Sequence, residues 1–458
     1  MLTIALDRKD GKPMYEQLYE HIRQAIESGE LSGRLPSKRK LASHLGVSQL
    51  TVENAYAQLV AEGYISSLPK RYFYTCPVES ILRAHTPPEP PFTSEAPATG
   101  SALYDLKTNS VDVESFPYSV WSRLMRECMR TDRFALLSPI HPQGDPGLRM
   151  EISRYLHDCR GMDVSYEQIV LGAGTEYLLG LIAELLPNAS YALEDPGYFN
   201  IANLFQSRRL PVHFIPLDEE GLQVEKLEKT DASVALVTPS HQFPLGSVMS
   251  IGRRRQLLNW VTRQPGGFLI EDDFDSEFRF VLKPIPTLHS MIINDEVIYM
   301  NSFAKTLAPS LRIAYMALPE SLMKRYRERM LSCSCTVSAF EQLTLKLFLS
   351  RGHYERHLNR MRNIYKSRLD IMLNEFSPLR ERLSIEGQQA GLHLLLRVGG
   401  MTEKQMTDSA GEKGVKVYPL SAYYRQHQPR LDTVVAGYAG ISNDKLRHAA
   451  ALIAEAWR

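Results

Sequence analysis

The sequence predicts an α/β protein in two parts, a small helical N-terminal unit followed by a large unit that contains a mainly parallel sheet. A proline-rich break separates them, a helix-turn-helix spacing precedes the break, and apolar strand-like runs alternate with helical stretches after it. A chain of 458 residues with 44% hydrophobic content can bury one large core and one small core. We therefore place the units at residues 1–76 and 102–458, joined by a connector at 77–101.

Overall composition argues against several classes of protein. The 53 basic and 52 acidic side chains nearly cancel, so any contact with DNA requires a local patch of charge. The N-terminus lacks a signal pattern, and no apolar run approaches the roughly 20 residues of a membrane span. Five cysteines without paired CxxC spacing favour neither disulfides nor a metal site. We expect a cytoplasmic protein without a membrane partner.

The stretch LPSKRKLASHLGVSQLTVENAYAQLVAEGYI predicts two helices around a tight turn. Ser37 and Ser48 are placed to cap the two helices, and Gly46 supplies the turn between them. A plain helical hairpin would show the same spacing. The helix-turn-helix interpretation adds that the exposed start of the second helix reaches base edges or phosphates, through Ser48, Gln49 and Thr51.

A basic window lies beside this helix pair. Residues 31–40 carry four basic groups and no acidic group, which is typical of a phosphate clamp. Its basic residues are Arg34, Lys38, Arg39 and Lys40. The connector follows, with five prolines in HTPPEPPFTSEAPATG that favour an extended, semi-stiff chain. Its 16 residues, at roughly 3.1 Å each, span on the order of 50 Å.

Five apolar runs in the large unit are predicted to be strands: EQIVLGAG, ASYALEDP, ASVALVTPS, GGFLIEDDF and DEVIYMNSF. Each run ends in turn or polar residues, and amphipathic helices separate them. Parallel strands bring such carboxyl ends to one edge of a sheet. We expect the functional site at that edge.

Lys305, in NSFAKTLAPSLRIAY, stands among small and hydroxylated residues. A lysine that bonds an aldehyde cofactor needs a partner for the cofactor's ring nitrogen and donors for its phosphate. Asp272 ends an apolar strand, where a carboxylate can pair with a pyridinium. The glycine-rich turn 172–175 opens a helix, and Ser302 and Arg312 add a hydroxyl and a guanidinium. Each feature alone also fits a plain turn, a solvated lysine or a solvated acidic face, but their combination is more specific.

The helix pair resembles the winged helix-turn-helix of the GntR regulators over the whole stretch quoted above. In that family the arginine at the position of Arg39 and the start of the recognition helix touch DNA. Two positions depart from the family pattern. Gln49 replaces a common arginine, and the wing SLPKRYFY lacks the usual glycine pair, which leaves Lys70 and Arg71 as candidate contacts.

The large unit resembles fold-type I aminotransferases, and the chain from Gly11 onward resembles the MocR family of GntR regulators. The stretches that carry the resemblance are QGDPGLRMEISRYLHDCRG, EDPGY, TPSHQFPLG, IEDDFDSEFR, NSFAKTLAPSLRIAY, GHYERHLNRMRNIY and AGLHLLL. It implies that Lys305 holds pyridoxal 5'-phosphate (PLP) as an internal aldimine, with Asp272 at the ring nitrogen and Tyr198 stacked on the ring. The phosphate would be held by Gly174, Thr175, Ser302 and Arg312.

Three positions depart from the catalytic pattern. Phe274 replaces a tyrosine whose hydroxyl reaches the cofactor, and Asn200 stands where amino-acid-binding relatives carry an arginine. Val435 lies near the place of a carboxylate-binding arginine, for which Arg425 or Arg430 could substitute. We therefore do not expect turnover as an aminotransferase, although this alternative stays open.

The resemblance implies a transcription regulator that binds a double-stranded DNA operator as a domain-swapped, head-to-tail homodimer. The missing clamps favour PLP itself as the small-molecule effector, as in family members that control vitamin B6 synthesis. An amine, an amino acid or a D-alanyl dipeptide that reacts with the bound cofactor is the alternative effector.

Overall fold

The computed structural model describes residues 6, 11–68, 72–76, 102–131, 133–280, 286–291, 295–330 and 332–458. The chain divides into two compact units, residues 1–98 and 99–458. The predicted connector 77–101 lies outside the described residues, so its bounds stay a prediction.

The N-terminal unit contains helices and an antiparallel sheet in which β3 lies between β1 and β2. Its described elements are α1 (Met14–Glu27), β1 (Arg34–Leu35), α2 (Lys38–Leu45), α3 (Gln49–Ala61), β2 (Ile65–Leu68) and β3 (Tyr72–Thr75). The predicted caps are confirmed, since the Ser37 hydroxyl accepts from the Lys40 N–H and the Ser48 hydroxyl from the Thr51 N–H. Gly46 ends α2 with a φ of 64°, a left-handed conformation that favours glycine.

The large unit alternates helices and strands along most of its length. Its first half contains β4 (Tyr104–Asp105), α4 (Tyr118–Thr131), α5 (Arg133–Leu137), α6 (Pro146–Arg160), β5 (Ile169–Gly172), α7 (Thr175–Leu185), β6 (Tyr191–Asp195), α8 (Phe199–Ser207), β7 (Val212–Asp218), β8 (Gly221–Leu222), α9 (Val224–Leu227), β9 (Val234–Val237), α10 (Ile251–Thr262) and β10 (Phe268–Asp272). The second half contains α11 (Leu288–Met291), β11 (Val297–Ser302), β12 (Ala314–Ala317), α12 (Glu320–Met330), α13 (Ala339–Ser350), α14 (His353–Glu375), β13 (Leu383–Glu386), β14 (His393–Val398), α15 (Glu403–Glu412), β15 (Val415–Lys416), β16 (Tyr418–Pro419), β17 (Val434–Gly437) and α16 (Asn443–Ala456).

The main sheet has eight strands in the order β5-β12-β11-β10-β9-β6-β7-β8. The four pairings from β11 to β7 are parallel, whereas β12 and β8 run against their neighbours. The predicted mainly parallel sheet is confirmed, and the five apolar runs form β5, β6, β9, β10 and β11. Their carboxyl ends meet at one edge, which carries Gly172, Asp195, Asp272 and Ser302.

Both faces of this sheet are covered. Leu269 and Ile270 are neighbours in β10, yet they belong to apolar clusters on opposite faces. One cluster includes residues of α7, α8 and α12, and the other includes residues of α9 and α10. Strands buried on both faces are continuously apolar, which explains why the runs could be recognised in the sequence.

A smaller sheet, β13-β14-β17-β16, lies in the C-terminal part of the large unit. The segment 104–109 joins it, because the Gly437 N–H at the end of β17 donates to the Leu106 carbonyl (2.8 Å). Within this segment β4 pairs in parallel with β15. Within the described parts of the chain, no helix combines the length and apolar character that a membrane span requires.

Candidate functional site

A cavity of about 280 Å³ opens at the carboxyl edge of the main sheet. Its wall is built by the start of α7, the ends of β10 and β11, and the loops that follow them. The seven residues predicted for the cofactor all line it: Gly174, Thr175, Tyr198, Asp272, Ser302, Lys305 and Arg312. The structure therefore assembles one site from residues spread over about 140 positions.

Lys305 lies in the loop after β11 with its side chain half-buried. Its Nζ donates to the carbonyl of Thr108 (2.9 Å) and to Oδ1 of Asn109 (3.0 Å). Burial lowers the pKa of Lys305 to about 8, although the carboxylate of Asp275 acts in the opposite direction. A substantial fraction of this amine is neutral at physiological pH, as a nucleophilic amine requires.

Asp272 ends β10 and faces the cavity. Burial raises the pKa of its carboxyl to about 7, and the charges of Asp273, Asp275 and Glu194 raise it further. A cation placed beside this carboxyl would favour its ionised form. The residue therefore suits a protonated ring nitrogen.

The start of α7 forms the part of the wall that suits an anion. Gly174 precedes the helix with a φ of 97°, and no side chain caps the first turn. The guanidinium of Arg312 lies against Gly174, because a Cβ at that position would be 2.6 Å from Arg312 Nη2. Helix N–H groups, this guanidinium and the nearby Ser302 hydroxyl together suit a phosphate.

Aromatic rings form another part of the wall. Tyr198, 38% exposed, accepts a hydrogen bond at its hydroxyl from Asn200 Nδ2 (2.9 Å). The ring of Phe243 meets Tyr198 edge-on, and Phe274 meets Phe243 in the same way, each pair with centroids 6.2 Å apart. Phe274 therefore adds an apolar surface to the cavity, and it offers no hydroxyl.

The two candidate substitutes for the missing carboxylate clamp differ in position. Arg430 forms an ion pair with Glu386 (2.7 Å), whereas Arg425 lines the cavity. Asp195, at the end of β6, fixes the loop that carries Arg425 by accepting its backbone N–H (2.9 Å). Val435 is buried in the centre of β17. Of these two arginines, Arg425 is the one that lines the cavity.

Sequence reasoning missed several residues of the site. Glu194 lines the cavity and accepts from the Thr238 hydroxyl (2.6 Å), and burial raises its pKa to about 7. A carboxylate at the end of an apolar strand is a signal that could have identified it. Asn109 and Tyr423 also line the cavity, but they are distant from Lys305 in the chain and lie in no recognisable motif.

Five of the predicted DNA-binding residues lie in α2 and at the start of α3, where Ser48 is the cap. Arg39 and Gln49 are exposed, whereas the Lys38 amine pairs with Glu53. The hydroxyls of Ser48 and Thr51 hydrogen-bond each other (2.8 Å) at the start of α3. Lys70 and Arg71 lie outside the described residues.

Sequence reasoning also passed over Leu50. This side chain is 64% exposed at the start of the recognition helix. An apolar side chain at this place suits the methyl group of thymine.

Comparisons with known families match two separate parts of the chain. Residues 14–74 match the bacterial regulatory proteins of the gntR family. Residues 105–453 match the aminotransferase class I and II family. The fold and the site thus define a GntR-type helix-turn-helix regulator fused to an aminotransferase-like domain.

Curated relatives extend over the full chain. The uncharacterized HTH-type transcriptional regulator YdeL of Bacillus subtilis is 38% identical over 100% of this chain and 99% of its own. The probable rhizopine catabolism regulatory protein MocR of Rhizobium meliloti is 30% identical over 97% of this chain and 94% of its own. The HTH-type pyridoxine biosynthesis transcriptional regulator PdxR of Corynebacterium glutamicum is 30% identical over 99% of this chain and 98% of its own. The chain belongs to the MocR family of GntR-type transcription regulators.

Solved structures show the same fold in the large unit. The multiple substrate aminotransferase of Thermococcus profundus has a TM-score of 0.69 and 23% identity, over 79% of this chain and 92% of its own. This likeness establishes the fold-type I architecture of the large unit.

Proposed function

We propose that this regulator binds PLP at Lys305 and converts the supply of vitamin B6 into a change in DNA binding. The observation that carries the proposal is the single cavity that brings together an amine of lowered pKa, a half-buried carboxyl and an anion cradle. These three groups match the aldehyde, the pyridine nitrogen and the phosphate of PLP.

Each group would hold one part of the cofactor. When bound, PLP supplies an aldehyde that condenses with a primary amine, and a ring that withdraws electrons. Lys305 would provide the amine, Asp272 the counter-charge to the ring nitrogen, and Tyr198 a ring to stack on. The phosphate would lie against the start of α7, held by Gly174, Thr175, Ser302 and Arg312.

Several features favour sensing over turnover as an aminotransferase. Phe274 and Val435 supply neither the hydroxyl nor the guanidinium expected at a catalytic site, and the relatives described above are named as regulators. One of them, PdxR, is named for the regulation of pyridoxine biosynthesis. A regulator that senses PLP needs the residues that bind the cofactor, but not those that bind an amino-acid substrate.

DNA would be contacted by the N-terminal unit of each chain in a homodimer, which we propose is domain-swapped, head-to-tail and cytoplasmic. Gln49 would enter the major groove, with Ser48 and Thr51 beside it at the start of α3. Arg39 would hold a phosphate, as would Lys38 once it leaves Glu53. Lys70 and Arg71 complete the proposed contacts on the wing.

The direct test is a DNA mobility shift with and without PLP. The probes are the region upstream of this protein's own gene and the regions upstream of PLP synthesis genes. We expect PLP to change the affinity of the wild-type protein at least several-fold and to leave Lys305→Ala unaffected. Lys324→Ala, an exposed lysine on α12, is the matched control and should respond like the wild type. DNA binding that ignores PLP in the wild type would refute the sensing role.

One observation favours a second effector, an amino acid that reacts with the bound cofactor. Arg425 lines the cavity on a loop fixed by Asp195, where a guanidinium can bind a carboxylate in two-pronged fashion. An amino acid should then shift the absorbance of the PLP-loaded protein at lower concentration than the matching amine without a carboxylate. Arg425→Gln should abolish that difference, and an equal response of the wild type to both compounds would exclude this effector class.

A further inference from the structure

The segment 104–109 lies near the beginning of the large unit, two residues after the predicted connector ends at residue 101. Backbone hydrogen bonds hold it at several points, among them the Tyr104 N–H to the Gly414 carbonyl (3.1 Å) and the Leu106 N–H to the Lys416 carbonyl (3.0 Å). It also lies directly on the end of β17, because a Cβ at Gly437 would be 2.4 Å from the Lys107 carbonyl oxygen. Backbone hydrogen bonds and close packing therefore hold the segment in place.

The far end of this segment holds the amine of Lys305. Thr108 accepts through its backbone carbonyl and Asn109 through its side-chain oxygen, at 2.9 and 3.0 Å from Nζ. Both hydrogen bonds need a hydrogen on Nζ. A neutral amine has two such hydrogens, so it can make both bonds at once.

We propose that Asn109, with Thr108, is a positioning residue that makes the segment 104–109 report whether Lys305 is free or covalently occupied. This inference rests on the proposed binding of PLP. Condensation of the amine with an aldehyde forms a carbon–nitrogen double bond, and both amine hydrogens leave with the aldehyde oxygen as water. The nitrogen then carries at most one added proton, so at most one of the two hydrogen bonds persists.

Covalent occupancy of Lys305 thus removes at least one of the two hydrogen bonds that its amine donates to the segment. Two residues, Ala102 and Leu103, separate the segment from the end of the predicted connector at residue 101. A change in how firmly 104–109 is held therefore reaches the connector along the chain itself. This route runs along the covalent chain, so it requires no contact between the segment and the DNA-binding unit.

Hydrogen–deuterium exchange on the full-length protein tests this coupling. The readout is the exchange rate in a peptide that covers residues 103–111, measured with and without PLP. Loss of one hydrogen bond predicts roughly two- to tenfold faster exchange when PLP is bound. Asn109→Ala should show fast exchange without PLP and little further change with it. Asn109→Gln keeps an amide acceptor without adding a charge beside Lys305 and should restore part of the response.

Lys107→Ala is the matched control, since it alters an exposed side chain of the same segment that does not line the cavity. It should respond to PLP like the wild type.

Absorbance of the bound cofactor, recorded for every variant, distinguishes failure of PLP binding from failure of the coupling. If PLP bonds to the wild type and the exchange of 103–111 does not change, the coupling is wrong while PLP binding stands. If no covalent absorbance appears, the proposed function fails and the coupling fails with it.

Discussion

Lys305 differs from exposed lysines in its pKa. Burial removes water from the charged form and lowers its pKa to about 8, against an ordinary value of about 10.4. At pH 7 roughly one molecule in ten then carries a neutral amine, compared with about one in several thousand for an exposed lysine. Only the neutral amine attacks an aldehyde.

This predicts the pH dependence of cofactor uptake. The rate constant for the covalent reaction of PLP with the ligand-free protein should rise with pH up to about 8 and level off above it. An exposed lysine would give a rate that still rises at pH 9. Stopped-flow absorbance between pH 6 and 9.5 measures the rate, with Lys305→Ala as the blank. A rate that keeps rising through pH 9.5 would contradict the lowered pKa.

The sequence indicated that Lys305 and Asp272 lie near one edge of the sheet, but it did not indicate which residues contact them. Asp272 ends β10 and Lys305 follows β11, so the predicted strands alone bring these two residues to one edge. Arg312 precedes β12, which was not among the predicted strands. Asn109 reaches Lys305 from 196 positions away through a segment with no periodic pattern. Contacts of this kind depend on the tertiary fold, which no local pattern specifies.

At the scale of elements, the start of α7 is the critical one. Its first turn is uncapped, and a side chain at Gly174 would force the Arg312 guanidinium to shift. The left-handed φ of 97° also disfavours any residue other than glycine. The cradle for an anion therefore depends on this single glycine.

Gly174→Ala should consequently weaken phosphate binding. We expect affinity for PLP to fall roughly 10- to 100-fold, the loss expected for charge-assisted hydrogen bonds, and affinity for pyridoxal, which lacks the phosphate, to fall much less. Absorbance titrations with both compounds measure the two affinities. Gly411→Ala, at an open position in α15, is the control and should change neither. An equal loss for both compounds would place the phosphate elsewhere.

At the scale of the whole molecule, the chain consists of two units with separate cores. The N-terminal core is built around Leu18, Val52 and Tyr56, and its buried residues all come from the first 65 positions. Every residue that lines the proposed PLP cavity belongs to the large unit. The sequence analysis placed the boundary at the proline-rich stretch, because a stretch of that composition cannot contribute to a core.

Because the two units have separate cores, PLP binding and DNA binding should be separable by truncation of the chain. A protein that comprises residues 102–458 should bind PLP with the affinity of the full chain, because the cavity residues and the core beneath them are all retained. It should not shift operator DNA at any PLP concentration, since α2 and α3 are missing. Absorbance titration and mobility shift measure the two properties, and 102–458 with Lys305→Ala serves as the blank. A truncated protein that is folded by circular dichroism yet fails to bind PLP would show that the N-terminal unit helps to form the site. The cofactor site would then depend directly on the DNA-binding unit, and a signal could pass between them without the segment 104–109.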